Sequence, residues 1–152
     1  MLKACFVGVL VSVGLLAGCA AESGTEDAEA TDGTSEAIRA GRLIPEREVA
    51  QLLRDAGFEE SEVPRMVCTA KHESSFYERA SNRNRNGSID RGLFQINSIH
   101  LGLSGCPRTA EALFNAATNA KCAHKIWELQ GNRAWYSYRS HKTECDSYVV
   151  DE

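Results

Sequence analysis

Residues 68–98 read CTAKHESSFYERASNRNRNGSIDRGLFQINS, and the punctuation of this stretch decides the fold. Its first residues complete a helix that starts near Pro64, in which Val63, Met66, Val67 and Ala70 form an apolar stripe. Glu73 falls on the same heptad line as Met66, so a carboxyl stands where a core residue is expected. The middle of the stretch is polar and contains Asn86-Gly87, the strongest short-range hairpin signal. Leu93 to Asn97 then read as a strand. Asp90 lies just past the turn, 17 residues after Glu73.

On the N-terminal side, Pro45 can occupy the first turn of a helix whose apolar positions Val49, Leu52, Leu53 and Ala56 follow helical spacing, with Gly57 placed to end it. On the C-terminal side, a loop rich in Gly and Ser surrounds Cys106 and Pro107. A longer helix is expected from about Thr109 to Leu129, with Leu113, Ala116, Ala117, Ala120, Ile126 and Trp127 inward and Gly131 as its stop. A short aromatic helix over Ala134 to Tyr138 precedes Cys145. Several helices and one small antiparallel hairpin sheet make an α+β domain with no internal repeat.

Residues 1–18 are of another kind. Lys3 is followed by an apolar run from Ala4 through Leu16, the pattern of a secretory signal peptide and too short for a spanning helix. Its end, Leu16-Ala17-Gly18-Cys19, resembles the lipobox of bacterial lipoproteins, in which cleavage precedes a cysteine that then carries acyl chains. That resemblance implies a lipidated Cys19 and a membrane anchor facing the periplasm or cell wall. Residues 19–40 contain six acids opposed only by Arg39, among Ala, Ser, Thr and Gly, and read as a disordered tether reaching about 25 Å. Of the chain's 17 Lys and Arg, two precede residue 41; of its 21 Asp and Glu, six do, so the domain expected over 41–152 carries 15 of each. A neutral domain gives no footing for nucleic acid.

Four of the six cysteines, Cys68, Cys106, Cys122 and Cys145, belong to this domain. In an exported chain they read as structural disulfides, and three pairings are open. None has CxxC spacing. His72-Glu73 begins an HExxH zinc motif, but Phe76 replaces the second histidine. Asn82, Asn84, Asn86, Gly87, Ile89 and Asp90 fall at EF-hand spacings, yet Leu93 replaces the closing glutamate and three arginines intervene. Ser104, between Gly102 and Gly105, lacks the spacing of a GxSxG elbow. No metal or cofactor is expected. His100, His124 and His141 show no partner pattern and read as surface or core residues.

What remains is the carboxylate pair. Burial on the helix face disfavours the charged form of Glu73, whereas Asp90, among Asn84, Asn97 and arginines, has a setting suited to an anion. An acid that holds its proton opposite an anion is what glycosidic cleavage needs.

The stretch Cys68–Ser98 resembles the active-site region of c-type lysozymes almost position by position. Cys122-Ala123-His124-Lys125-Ile126 and Ala134-Trp135 are similar to that family's cysteine-bearing helix and cleft tryptophan. The resemblance runs over about Arg42 to Cys145. It implies a lysozyme-like fold with the hairpin sheet flanking the cleft, and a monomer that cleaves the β-1,4 bond between N-acetylmuramic acid and N-acetylglucosamine in peptidoglycan by a retaining mechanism. Glu73 would take the place of the general acid and Asp90 that of the second carboxylate. Asn84, Gln95, Asn97, Ala134 and Trp135 would contact substrate, and Cys68 would pair with Cys145 and Cys106 with Cys122. After Asn97 and Ser98, where the family commonly presents tryptophans that stack on sugars, this chain has Ile99, His100 and Leu101.

Two other functions share these features. Lytic transglycosylases also carry a Glu-Ser pair, here Glu73-Ser74, and a Gly-Leu-x-Gln-Ile segment, here Gly92 to Ile96. They use the glutamate alone and release anhydro-muramic products. The cysteine framework and the missing Tyr-Asn-Ala-Gly segment favour the hydrolase. A non-catalytic glycan-binding relative is disfavoured because both carboxylates are present.

Overall fold

The computed structural model describes residues 37–151; Met1–Gly18, Cys19 and the tether as far as Glu36 lie outside the described residues. In chain order the elements are β1 (Ala37–Ile38), α1 (Glu46–Ala56), α2 (Val63–Ser74), β2 (Ser81–Arg83), β3 (Ile89–Arg91), β4 (Ile96–Asn97), α3 (Ala116–Gln130), α4 (Tyr136–Ser140) and α5 (Lys142–Asp146). Single 3₁₀ turns occupy Ser98–His100, Glu111–Phe114 and Gly131–Ala134.

Helix α1 has the ends its sequence calls for. Pro45, at φ −60°, precedes the first turn, Glu46 and Glu48 lie at the positive end of the helix dipole, and Arg54 lies at the negative end. Gly57 ends the helix in the left-handed region at φ 105°, donating its N–H to the Arg54 carbonyl at 3.0 Å. In α2 the buried set includes Val63, Met66, Val67, Cys68 and Ala70, as the stripe requires. These helices and α3 enclose the core, where Leu53, Met66, Leu93, Phe94, Ile96 and Leu113 are at most 2% exposed.

The sheet is antiparallel in the order β1-β2-β3-β4. Its register sets Asn82 opposite Asp90 and Asp90 opposite Asn97. Ala37 and Ile38, which composition assigns to the tether, form its edge strand against Asn82 and Ser81. The hairpin turns where Asn86-Gly87 places it, but only Gly87 is left-handed, at φ 84°. Gly87 N–H donates to the Asn84 carbonyl and Asn84 N–H to the Ser88 carbonyl, both at 2.9 Å.

Three expectations are corrected. The strand expected over Leu93 to Asn97 is reduced to Ile96–Asn97, because Gly92 at φ 77° and Gln95 at φ 47° turn the chain and send Leu93 and Phe94 into the core. The helix expected from Thr109 starts at Ala116 instead: the Asn115 side chain accepts from Thr118 N–H at 2.9 Å and caps a new helix. The aromatic helix over Ala134–Tyr138 is broken at Trp135, whose extended backbone, φ −97° and ψ 126°, separates a 3₁₀ turn from α4.

Both disulfides form. Cys68–Cys145 joins α2 to α5 across 77 residues, and Cys106–Cys122 joins the loop to α3 across 16. Such cross-links belong to proteins that mature outside a reducing cytosol. Among the described residues no helix is long and apolar enough to cross a membrane.

Candidate active site

Glu73 is the penultimate residue of α2, and it is half-buried at the helix end. Ser137 of α4 donates its hydroxyl to Glu73 Oε1 at 2.6 Å. Burial raises the Glu73 pKa above the ordinary carboxylate value; the Ser137 hydroxyl and backbone oppose this, and the charge on Asp90 adds to it. The balance leaves an acid that holds its proton longer than an exposed glutamate.

Asp90 sits in the middle of β3, and the register of the sheet brings an asparagine from each neighbouring segment to it. Asn97 Nδ2 donates to Oδ1 at 2.6 Å and Asn84 Nδ2 to Oδ2 at 3.0 Å, so each carboxylate oxygen has an amide donor. The two amides are themselves bonded to Ser88 Oγ, at 2.9 and 3.1 Å. Ser88 also uses Asn86 Oδ1 as an acceptor. The hairpin is therefore a polar lattice built around one carboxylate.

Glu73 and Asp90 both line one cleft, with a volume of about 240 Å³. Gln95, Asn97, Ala134 and Trp135, four of the five other expected substrate contacts, line it as well. Asn84 does not; it reaches the site through Asp90. Gln95 is held in place by its own side chain, which donates to the Ala80 and Gly92 carbonyls at 3.0 and 2.9 Å. Trp135 is 6% exposed, its indole N–H fixed on the Phe94 carbonyl at 3.0 Å.

Three residues with roles here are not marked in the sequence. Ser137 reads only as part of an aromatic helix, and nothing local identifies it as the partner of Glu73. His100, expected as a surface or core residue, is half-buried on the cleft wall. Burial lowers its pKa, and the nearby charge on Asp90 works against this. Asn119, fully buried on α3, accepts from Phe94 N–H at 2.8 Å and donates to the Arg91 and Leu113 carbonyls at 2.9 and 2.7 Å. It bolts the turn after β3 to the helical side, and so fixes the chain between Asp90 and Asn97. Gly92 completes this joint, since a Cβ there would lie 2.2 Å from the Leu113 carbonyl oxygen.

The metal-like patterns resolve into other structures. Cys68, His72 and Cys145 place potential ligand atoms within 4.8 Å of one another, but the two sulfurs are bonded together and offer no thiolate. Asn82 and Asp90, at EF-hand spacing, are cross-strand partners in a hairpin rather than ligands around a coiled loop.

A model of the C-type lysozyme/alpha-lactalbumin family matches residues 44–150. Lysozyme c-1 of Anopheles gambiae is 32% identical over 112 residues, covering 69% of this chain and 80% of that protein. A lysozyme of Bombyx mori is 39% identical over 107 residues, covering 65% of this chain and 76% of its own length. The crystal structure of a lysozyme from Litopenaeus vannamei superposes with a TM-score of 0.54 at 28% identity, over 71% of this chain and 100% of that one. With a matching fold, a family match across the folded residues and relatives above 30% identity, the chain belongs to the C-type lysozyme/alpha-lactalbumin family.

Proposed function

We propose that Glu73 and Asp90 carry out the glycosidic cleavage in this cleft, as general acid and second carboxylate of a retaining reaction. The chain is a lysozyme-type glycoside hydrolase, a muramidase acting on peptidoglycan; the assignment of roles to its side chains is the proposal. Glycosidic cleavage with retention needs two carboxyl groups with opposite protonation habits, and lysozyme itself is the type case from which that rule is drawn. The observation that carries the assignment is the contrast of surroundings. Glu73 is half-buried and pushed toward its neutral form, while both oxygens of Asp90 accept amide hydrogen bonds on the same cleft.

In the first step Glu73 gives its proton to the glycosidic oxygen as the bond to the anomeric carbon breaks. Asp90 meets the positive charge developing at that carbon, either as nucleophile or as counter-charge. Glu73, now a base, then takes a proton from water, which adds to the anomeric carbon with retention. Asn84 and Asn97 orient Asp90, Ser137 orients Glu73, and Gln95, Asn97, Ala134 and Trp135 supply the walls against which the glycan lies. Turnover of a labelled cell-wall substrate tests this: Glu73→Gln is expected to abolish it and Asp90→Asn to lower it by orders of magnitude. Wild-type turnover in Glu73→Gln would contradict the assignment.

Export and anchoring belong to the same proposal. Residues 1–18 direct export, Cys19 carries acyl chains, and the acidic residues that follow, as far as Glu36, tether the enzyme to a bacterial membrane facing the periplasm or wall, within reach of wall glycan. The support is the Leu16-Ala17-Gly18-Cys19 sequence and a disulfide-bonded domain. Native protein should partition with membranes and Cys19→Ser should release it into the exported soluble fraction; equal membrane association of the two forms would contradict the anchor.

A further inference from the structure

Sugar rings present flat faces of C–H groups, and a cleft that binds them gains from an aromatic ring laid open to solvent before binding. After Asn97 and Ser98 the chain continues with Ile99, His100 and Leu101, of which His100 lines the cleft, and none is a large aromatic ring. Trp135 lines the cleft but is 6% exposed and tied to the Phe94 carbonyl, so little of its indole is left for a ligand. Tyr136, the next residue, also lines the cleft and is 73% exposed. The Arg139 guanidinium lies over its ring, 5.5 Å from the centroid, and is itself anchored by donating to the Arg133 carbonyl at 2.6 Å. The ring contributes almost nothing to the core, yet it has a fixed neighbour and faces the substrate site.

We propose that Tyr136 is the sugar-stacking platform of this cleft, taking the face of an N-acetylated hexosamine on the α4 side of the scissile position. Arg139, held by Arg133, limits the rotamers of the ring, so less conformational freedom is lost when a sugar settles on it. This specificity-determining role rests on the reading of the cleft as a glycan site, and it places the aromatic contact on α4 and not in the segment after Ser98.

The test measures binding apart from turnover. On a Glu73→Gln background, the affinity for a short β-1,4-linked N-acetylglucosamine oligomer is measured by titration with NMR detection of the Tyr136 ring signals. Tyr136→Ala is expected to weaken binding about threefold to tenfold, and Tyr136→Phe and Tyr136→Trp to retain it. In the Glu73 enzyme, Tyr136→Ala should raise KM for a glycan substrate by the same factor, with the larger change in KM than in kcat. Unchanged affinity in Tyr136→Ala would overturn the proposal, as would a loss in Tyr136→Phe equal to that in Tyr136→Ala. If the oligomer leaves the signals of both Tyr136 and Asn97 unmoved, the glycan-site reading fails; if Asn97 moves and Tyr136 does not, only the platform fails.

Discussion

A carboxyl taken out of water at the end of a helix resists ionisation unless donors are brought to it, and at Glu73 those donors come from Ser137. In the proposed reaction the acid must be protonated to act, so the alkaline limb of the activity profile follows the Glu73 pKa, which burial raises from the ordinary carboxylate value. The Ser137 hydroxyl stabilises the anion and so pulls the limb down. Ser137→Ala is therefore expected to shift the alkaline limb to higher pH, and Ser137→Thr to restore it; a shift to lower pH in Ser137→Ala would contradict the arrangement. The Glu73 and Asp90 pair is legible in the sequence because both signals are local: a carboxyl in a helical stripe, and an acid beside an Asn-Gly turn. Ser137 is not legible, because its bond to Glu73 spans 64 residues and serine is ordinary in a short helix.

Among the elements, α1, α2 and the hairpin are readable because periodicity, caps and turn residues agree within each segment. Of the strand expected over Leu93 to Asn97, Leu93 to Gln95 are not strand, since Leu93 and Phe94 are drawn inward by a tertiary contact that no local pattern announces. That contact is Asn119. With its side chain gone, Phe94 N–H and the Arg91 and Leu113 carbonyls lose their partner in a buried setting, where each unsatisfied group costs about 1–3 kcal/mol. Asn119→Ala is expected to lower unfolding stability by about 3 kcal/mol or more, measured by denaturant titration. A change below about 1 kcal/mol would mean that the joint does not fix the turn. The late start of α3 has a local origin instead: the residues from Thr109 have helical periodicity, but Asn115 offers its oxygen to a new first turn.

At the scale of the whole molecule, one disulfide holds α2 against α5 and the other ties the Cys106 loop to α3. In the chain-entropy picture Cys68–Cys145, closing 77 residues, stabilises by about 4.5 kcal/mol, and Cys106–Cys122, closing 16, by about 3 kcal/mol. Replacing Cys68 and Cys145 together by alanine should therefore lower unfolding stability more than replacing Cys106 and Cys122 together; the opposite order in denaturant titrations would contradict it. With this frame intact, α2 brings Glu73 and β3 brings Asp90 to one cleft, and the proposed reaction depends on both. A hydrolase must stabilise the sugar cation until water arrives, whereas a cyclising enzyme can use the substrate's own acetamido group. Mass spectrometry of the fragments released from peptidoglycan by wild-type protein and by Asp90→Asn separates the two. Wild-type fragments are expected to carry ordinary reducing ends, with Asp90→Asn releasing orders of magnitude less; anhydro-muramic ends together with near wild-type release by Asp90→Asn would contradict a two-carboxylate hydrolase.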